Sequence, residues 1–165
     1  MSQEPVGPLQ ESVGYALKQA AAALRTAMGS ALRPLDLTVA QYACLELLGQ
    51  RPDLSSADLA RGAFVTRQSM NEVLRSLQDR SLLDRPATVD RGRALPARLT
   101  PAGHERLHAA SARVRAVEDQ MLAPLTHGSR TAMLADLTAC ATALGAPPLH
   151  PTQGVDSRPP DPDGS

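Results

Sequence analysis

Apolar residues recur at helical spacing through the first part of the chain: Val13, Leu17, Ala21, Leu24, Met28 and Leu32. This three-and-four period predicts one long amphipathic helix over 9–33. Pro34 should end it, because proline has no N–H to give to a helix interior. Thr38 is a suitable N-cap for a second helix, "VAQYACLELLGQ", closing near Gly49 and Pro52. Ser55 with Asp58 three residues later has capping-box spacing and opens a short helix to about Gly62. Thr66 caps the next, over 67–80. There Met70, Val73, Leu74 and Leu77 fall on one face, and Gln68, Asn71, Arg75 and Gln78 on the opposite face.

After Ser81 the period shortens. "LLDRPATV" and "RALPARLT" are brief, Leu95, Ala97 and Leu99 alternate, and "DRG" between them is turn-like. A two-stranded hairpin is expected, with Pro96 confined to an edge because it cannot donate to a ladder. Thr100 and Pro101 are cap and first residue of another long helix, running to about Leu122. A last helix over 127–145 puts Met133, Leu137, Cys140, Ala141 and Leu144 on one side, and Gly145 stops it. The tail 146–165 holds six prolines and few apolar residues, and is expected to be disordered.

Composition narrows this picture. In 165 residues, 42% are hydrophobic, yet there are one Phe, two Tyr and no Trp. A core built from Leu, Ala, Val and Met favours helices. Neither a leader peptide nor an apolar run of membrane-spanning length is visible, so a cytoplasmic protein with no membrane partner is expected. Cys44 and Cys140 are too few for a disulfide framework. Both fall among apolar residues, where free cysteine is usually a small buried hydrophobe.

Net charge is zero, but 61–98 carries eight Arg against four acids, a local surplus of four. Such a basic segment is either a solvated face or the footprint of a nucleic-acid contact. The order of elements favours the second. A short helix (56–62), a tight turn and a two-faced helix (67–80) make a helix-turn-helix candidate. Amides and guanidinium groups on the free face can read base edges through paired hydrogen bonds. A hairpin tipped by Arg91 and Arg93 directly after it has the place of a wing.

At 35–107 the chain resembles the multiple-antibiotic-resistance regulator (MarR) family of winged-helix transcription factors. The likeness rests on five motifs in order: Leu37, Thr38 and Gln41; Leu59-Ala60; Thr66-Arg67-Gln68-Ser69; Asp90 to Arg93; and Leu99, Thr100 and Gly103. Ser81 departs from the pattern, standing where the family carries Gly at a position that often needs positive φ.

The resemblance implies a mainly α fold with a small β-hairpin wing: a winged helix-turn-helix plus long dimerisation helices. The expected parts are an N-terminal dimerisation helix (9–33), a DNA-binding lobe (35–100), C-terminal dimerisation helices (101–145) and the tail. It implies a homodimer, with the first and last two helices intertwined, binding double-stranded DNA at a pseudo-palindromic operator. It also implies a regulator, usually a repressor, released by a small-molecule effector, and neither an enzyme nor a cofactor carrier. By position, Arg67, Gln68, Asn71 and Arg75 are expected in the major groove. Thr66 and Ser69 are expected on backbone or phosphate, and Ser56 and Arg61 on phosphate. Arg91 and Arg93 belong to the wing, with Asp90 bracing its tip. Tyr15, Leu17, Tyr42 and Leu45 are candidates to line the effector pocket, each equally suited to ordinary core.

One motif stands apart. His104-Glu105-Arg106-Leu107-His108 spells H-E-x-x-H, which on a helix can hold zinc and a general base. A zinc-dependent hydrolase, or a metal-sensing regulator, is therefore the alternative. A third ligand is missing from the expected spacing, since Val114 stands where one protease pattern has its third His. Two solvated or interfacial histidines with no bound metal are the expectation.

Overall fold

The computed structural model describes residues 7–52, 54–85 and 97–146. Its elements are α1 (Val13–Leu32), α2 (Val39–Gln50), α3 (Ser56–Gly62), α4 (Arg67–Asp79), β1 (Leu83–Asp84), β2 (Arg98–Leu99), α5 (Pro101–Leu122) and α6 (His127–Ala143). Two compact units result, Met1–Pro124 and Leu125–Ser165. Among the described residues no helix is long and apolar enough to cross a membrane.

Short polar side chains start each helix. The hydroxyl of Thr38 accepts the Gln41 N–H at 3.1 Å, and the Gln41 side chain accepts the Thr38 N–H at 2.9 Å. Ser55 and Asp58 make the same reciprocal pair for α3. Thr66, Thr100 and Thr126 cap α4, α5 and α6. Each cap satisfies donors that the first helical turn leaves open, and contributes about 1 kcal/mol.

In the first unit the core is a knot of leucines. Leu32, Leu37, Leu45, Leu48, Leu59, Met70, Leu74, Leu77, Leu82 and Leu83 are all buried, with Cys44 and Ala110. It sits where α2, α3 and α4 meet, and α5 packs on α1 and α2. The apolar face expected on α4 is the one that goes inward. β1 and β2 pair antiparallel, Leu83 opposite Leu99 and Asp84 opposite Arg98.

A dense junction joins this lobe to α5. Ser81 adopts φ 57°, a left-handed conformation that costs a non-glycine residue about 1 kcal/mol. The Ser81 carbonyl accepts the Thr100 hydroxyl at 2.7 Å, and the Leu82 carbonyl accepts the Thr100 N–H at 3.2 Å. Gly103 lies so close beneath that a Cβ there would run into the Leu82 carbonyl oxygen. Nearby, two arginines hold the turn between α1 and α2. Arg106 of α5 donates to the Leu35 carbonyl, and Arg80, at the end of α4, donates to the Asp36 carbonyl at 2.7 Å.

Several expectations need correction. The helix expected over 9–33 is interrupted: Leu9–Glu11 is a 3-10 turn, and Ser12 caps a new start at Val13. Pro34 lies in a second 3-10 turn, Arg33–Leu35. Of the apolar stripe on α1 only Leu32 is buried; Val13 is 78% exposed and Leu17 45%. Cys140, expected buried, is exposed, and α6 buries none of its residues. Helical spacing marks an apolar stripe but not a covering surface: on α1 the exposed positions lie outside its packing on α2 and α5. The wing tip, Asp90, Arg91, Gly92 and Arg93, and Pro96 lie outside the described residues, as does the tail from 147.

Replacing Gly103 with Ala should destabilise the fold by about 2–4 kcal/mol, because the clash is with backbone that cannot swing away. Urea unfolding of the two proteins checks this, with a fall in midpoint at constant slope as the expected result.

Candidate nucleic-acid interface

The polar face of α4 follows from its buried one. With Met70, Leu74 and Leu77 fixed inward, a 3.6-residue period turns Arg67, Gln68, Asn71, Arg75 and Gln78 outward, and all five are exposed. Thr66 starts the helix, accepting the Ser69 N–H at 3.1 Å and donating its hydroxyl to Ser69 Oγ at 3.0 Å. These two residues thus spend hydrogen bonds on each other, while their outer lone pairs remain open. The N-terminal turn of α4 presents one guanidinium and one amide side by side.

α3 lies across this start. The Ser56 hydroxyl donates to Asn71 Oδ1 at 3.0 Å, which turns the Asn71 NH2 donors outward. Arg61, expected to meet phosphate, is ion-paired with Asp58 on its own helix. Hydrogen bonds from Ser55, with the Arg61 charge as a lesser pull, hold the Asp58 carboxyl below its ordinary value. That pair is exposed, so it is weak and can exchange for another anion. A cleft of about 410 Å³ runs between α3, α4 and β1, lined by Ser55, Ser56, Arg67, Asn71 and Arg85 among others. Arg85 was missed by the sequence reading. Its signal was its place directly after β1, which turns the guanidinium back toward α4.

The four residues proposed for an effector pocket are not brought together. Leu45 is fully buried core. Tyr42 is half-buried on α2 and its hydroxyl reaches Glu46 at 3.3 Å; burial, and then the Glu46 charge, lift its pKa. Tyr15 and Leu17 are exposed on α1. A cavity of about 730 Å³ uses other residues: Arg25, Gly29 and Arg33 from α1 and its end, Thr38 and Gln41 at the start of α2, and Ser76 and Arg80 on α4 and at its C-cap. Gln41 crosses it to donate to Ser76 at 3.0 Å.

His104 and His108 do share a face of α5, with Ser111 and Arg115. They border a groove of about 430 Å³ whose other wall is Glu46, Gly49 and Gln50 of α2. Glu46 is already engaged, accepting from Tyr42, Gln50 and Ser111. Among the described residues no three metal-binding side chains come together. The third ligand a catalytic zinc needs is not supplied there.

A helix-turn-helix with an exposed polar ridge, followed by an antiparallel hairpin and a long helix, defines a winged helix-turn-helix DNA-binding protein. The MarR family model matches residues 35–94. The HTH-type transcriptional repressor Rv2887 of Mycobacterium tuberculosis is 49% identical over 114 residues, covering 69% of this chain and 82% of the relative. The crystal structure of Rv2887 in complex with salicylic acid superposes with a TM-score of 0.66 at 44% identity, covering 78% of this chain and 96% of that one. Its complex with DNA gives 0.62 at 38% identity, covering 82% and 98%. The chain belongs to the MarR family of transcriptional regulators.

Cys44 offers a check on packing within the lobe. Burial pushes its thiol from 9.0 up to about 12, so it is protonated and inert at neutral pH. Because the folded state favours the neutral thiol, its contribution to stability is complete below pH 9 and is lost as pH rises toward 12. In a Cys140→Ser variant, a thiol reagent at pH 8 should label nothing until denaturant is added. Fast labelling of the native protein would show that the core around Cys44 opens.

Proposed function

We propose that the protein is a homodimeric, sequence-specific repressor that binds a pseudo-palindromic operator and releases it when a small aromatic carboxylic acid binds. The carrying observation is the α4 ridge, with Arg67, Gln68, Asn71 and Arg75 free on one face while Met70, Leu74 and Leu77 lock the other into the core. Gln68 and the Asn71 amide suit adenine edges, and Arg67 and Arg75 suit guanine. Thr66, Ser69, Ser56, Arg61 and Arg85 contact phosphates and set the register. Arg91 and Arg93 extend the contact from the wing, with Asp90 bracing them. None of these roles needs a catalytic group. The place of action is the cytoplasm, with the DNA.

A homodimer accounts for the apolar surface. α1 exposes Val13, Tyr15 and Leu17, α5 exposes Met121, and α6 exposes Leu134 and Leu137. Isolated exposed apolar residues are normal, but stripes of them on long helices mark interfaces. These are the dimerisation segments, 9–33 and 101–145, flanking the DNA-binding lobe at 35–100. Two lobes then fall on half-sites about 10 bp apart.

Salicylic acid binds the relative Rv2887. In this chain the 730 Å³ cavity offers Arg25, Arg33 and Arg80 to such a carboxylate. Arg80 C-caps the DNA-reading helix and is held by Asp36. An acid that draws Arg80 away from Asp36 binds one lobe position better than another, which is what release requires.

Fluorescence anisotropy on the upstream DNA of its own coding sequence tests this. The dimer should bind it more tightly than a random duplex, with affinity falling steeply as salt rises. Arg85→Ala, which removes a cationic phosphate contact, should lower the magnitude of the salt slope by about 1 per protomer, and Gln68→Ala should relax base preference by about 1–3 kcal/mol at one position per half-site. Equal affinity for both duplexes would overturn the repressor. Salicylate should weaken operator binding in the wild type and do so less in Arg80→Ala; an unchanged response would move the effector site elsewhere.

A further inference from the structure

Phe64 is the single phenylalanine of the chain. It sits in the turn between α3 and α4 with 81% of its surface exposed. Its neighbours point inward: Ala63 is buried and Val65 packs against the core. Its φ is 56°, a conformation that suits glycine and is rare for a bulky side chain. The turn imposes it. The Phe64 N–H donates to the Arg61 carbonyl at 3.2 Å and the Val65 N–H to the Ala60 carbonyl at 3.0 Å, closing the end of α3.

Two other described non-glycine residues have positive φ, Asp36 and Ser81. Each has a local account. Aspartate tolerates the left-handed region, and the Ser81 carbonyl anchors Thr100. At Phe64 the turn fixes the backbone, but a glycine would meet that demand without strain, and the ring contributes little burial to the fold. Single exposed apolar residues are ordinary, but strain of this kind concentrates at functional sites. The location supplies the function. Phe64 lies two residues before the cap of α4, so its Cα is within roughly 11 Å of that of Arg67. Arg61, on the near side of the turn, is exposed as well.

We propose that Phe64 is a DNA-contacting residue whose ring packs on the apolar rim of the major groove, beside the point where α4 enters. That rim offers deoxyribose rings and thymine methyl groups. The inference rests on the DNA-binding role proposed above and adds an uncharged contact to it. Such a contact changes affinity without releasing counterions.

The test uses the full-length protein, the upstream duplex and a random duplex. Phe64→Gly removes the ring and relieves the strain together. Its melting temperature should equal or exceed that of the wild type, while affinity falls about fivefold to tenfold. The slope of log affinity against log salt should stay unchanged, and Phe64→Leu should keep most of the affinity. Replacing thymine by uracil throughout the duplex separates the two sources. A loss seen in the wild type but absent in Phe64→Gly assigns the ring to thymine methyls; an equal loss in both assigns it to the sugars. Phe64→Gly binding like the wild type overturns the proposal, as does a lost affinity matched by a lowered melting temperature. A wild type that binds both duplexes alike defeats the operator but still reads the Phe64 contact on either duplex. A wild type that binds no duplex overturns both.

Discussion

The close approach of Gly103 to the Leu82 carbonyl is the constraint on which this molecule depends. Four elements end or begin within a few residues of it. α4 stops at Asp79, β1 starts at Leu83, β2 ends at Leu99 and α5 begins at Pro101. The left-handed Ser81 turns the chain there, and the Leu82 N–H closes α4 on the Leu77 carbonyl at 2.9 Å. Thr100 then makes one side chain serve twice. Its hydroxyl donates to the Ser81 carbonyl and accepts the Gly103 N–H that opens α5. The position of α4 is thus fixed against α5 by backbone groups, which do not change rotamer.

Much of this was legible in the sequence because its causes are local. A cap needs only a hydroxyl or carboxylate and a partner three residues on, so Thr38, Ser55, Thr66 and Thr100 could be read directly. The two faces of α4 are a matter of period. The left-handed demand on Ser81 was visible through the family likeness. What could not be read depends on surfaces distant in sequence. The stripe on α1 has the same spacing as a core helix, yet spacing does not say whether the covering surface belongs to the same chain. Cys140 is exposed although it lies on the apolar side of α6, whereas Cys44 on α2 is enclosed by its own lobe. The arginine-lined cavity was illegible because it gathers Arg25, Arg33, Ser76 and Arg80 from separate elements. Arg85 was overlooked because its one signal, a place directly after β1, shows a contact with α4 only once the chain is folded.

The pentapeptide H-E-x-x-H shows how the same chemistry is demoted by its setting. The helix brings His104 and His108 to one face, as the motif requires. The facing wall supplies Glu46, but that carboxylate already accepts three hydrogen bonds. Ligand geometry is a property of several elements at once, and a five-residue match specifies only one.

The turn between α1 and α2 has a mechanical consequence. Consecutive carbonyls, at Leu35 and Asp36, are gripped from two directions: by Arg106 on α5 and by Arg80 at the end of α4. Because the two arginines stand on different helices, the turn ties the end of α1 to both α4 and α5 through its own backbone carbonyls.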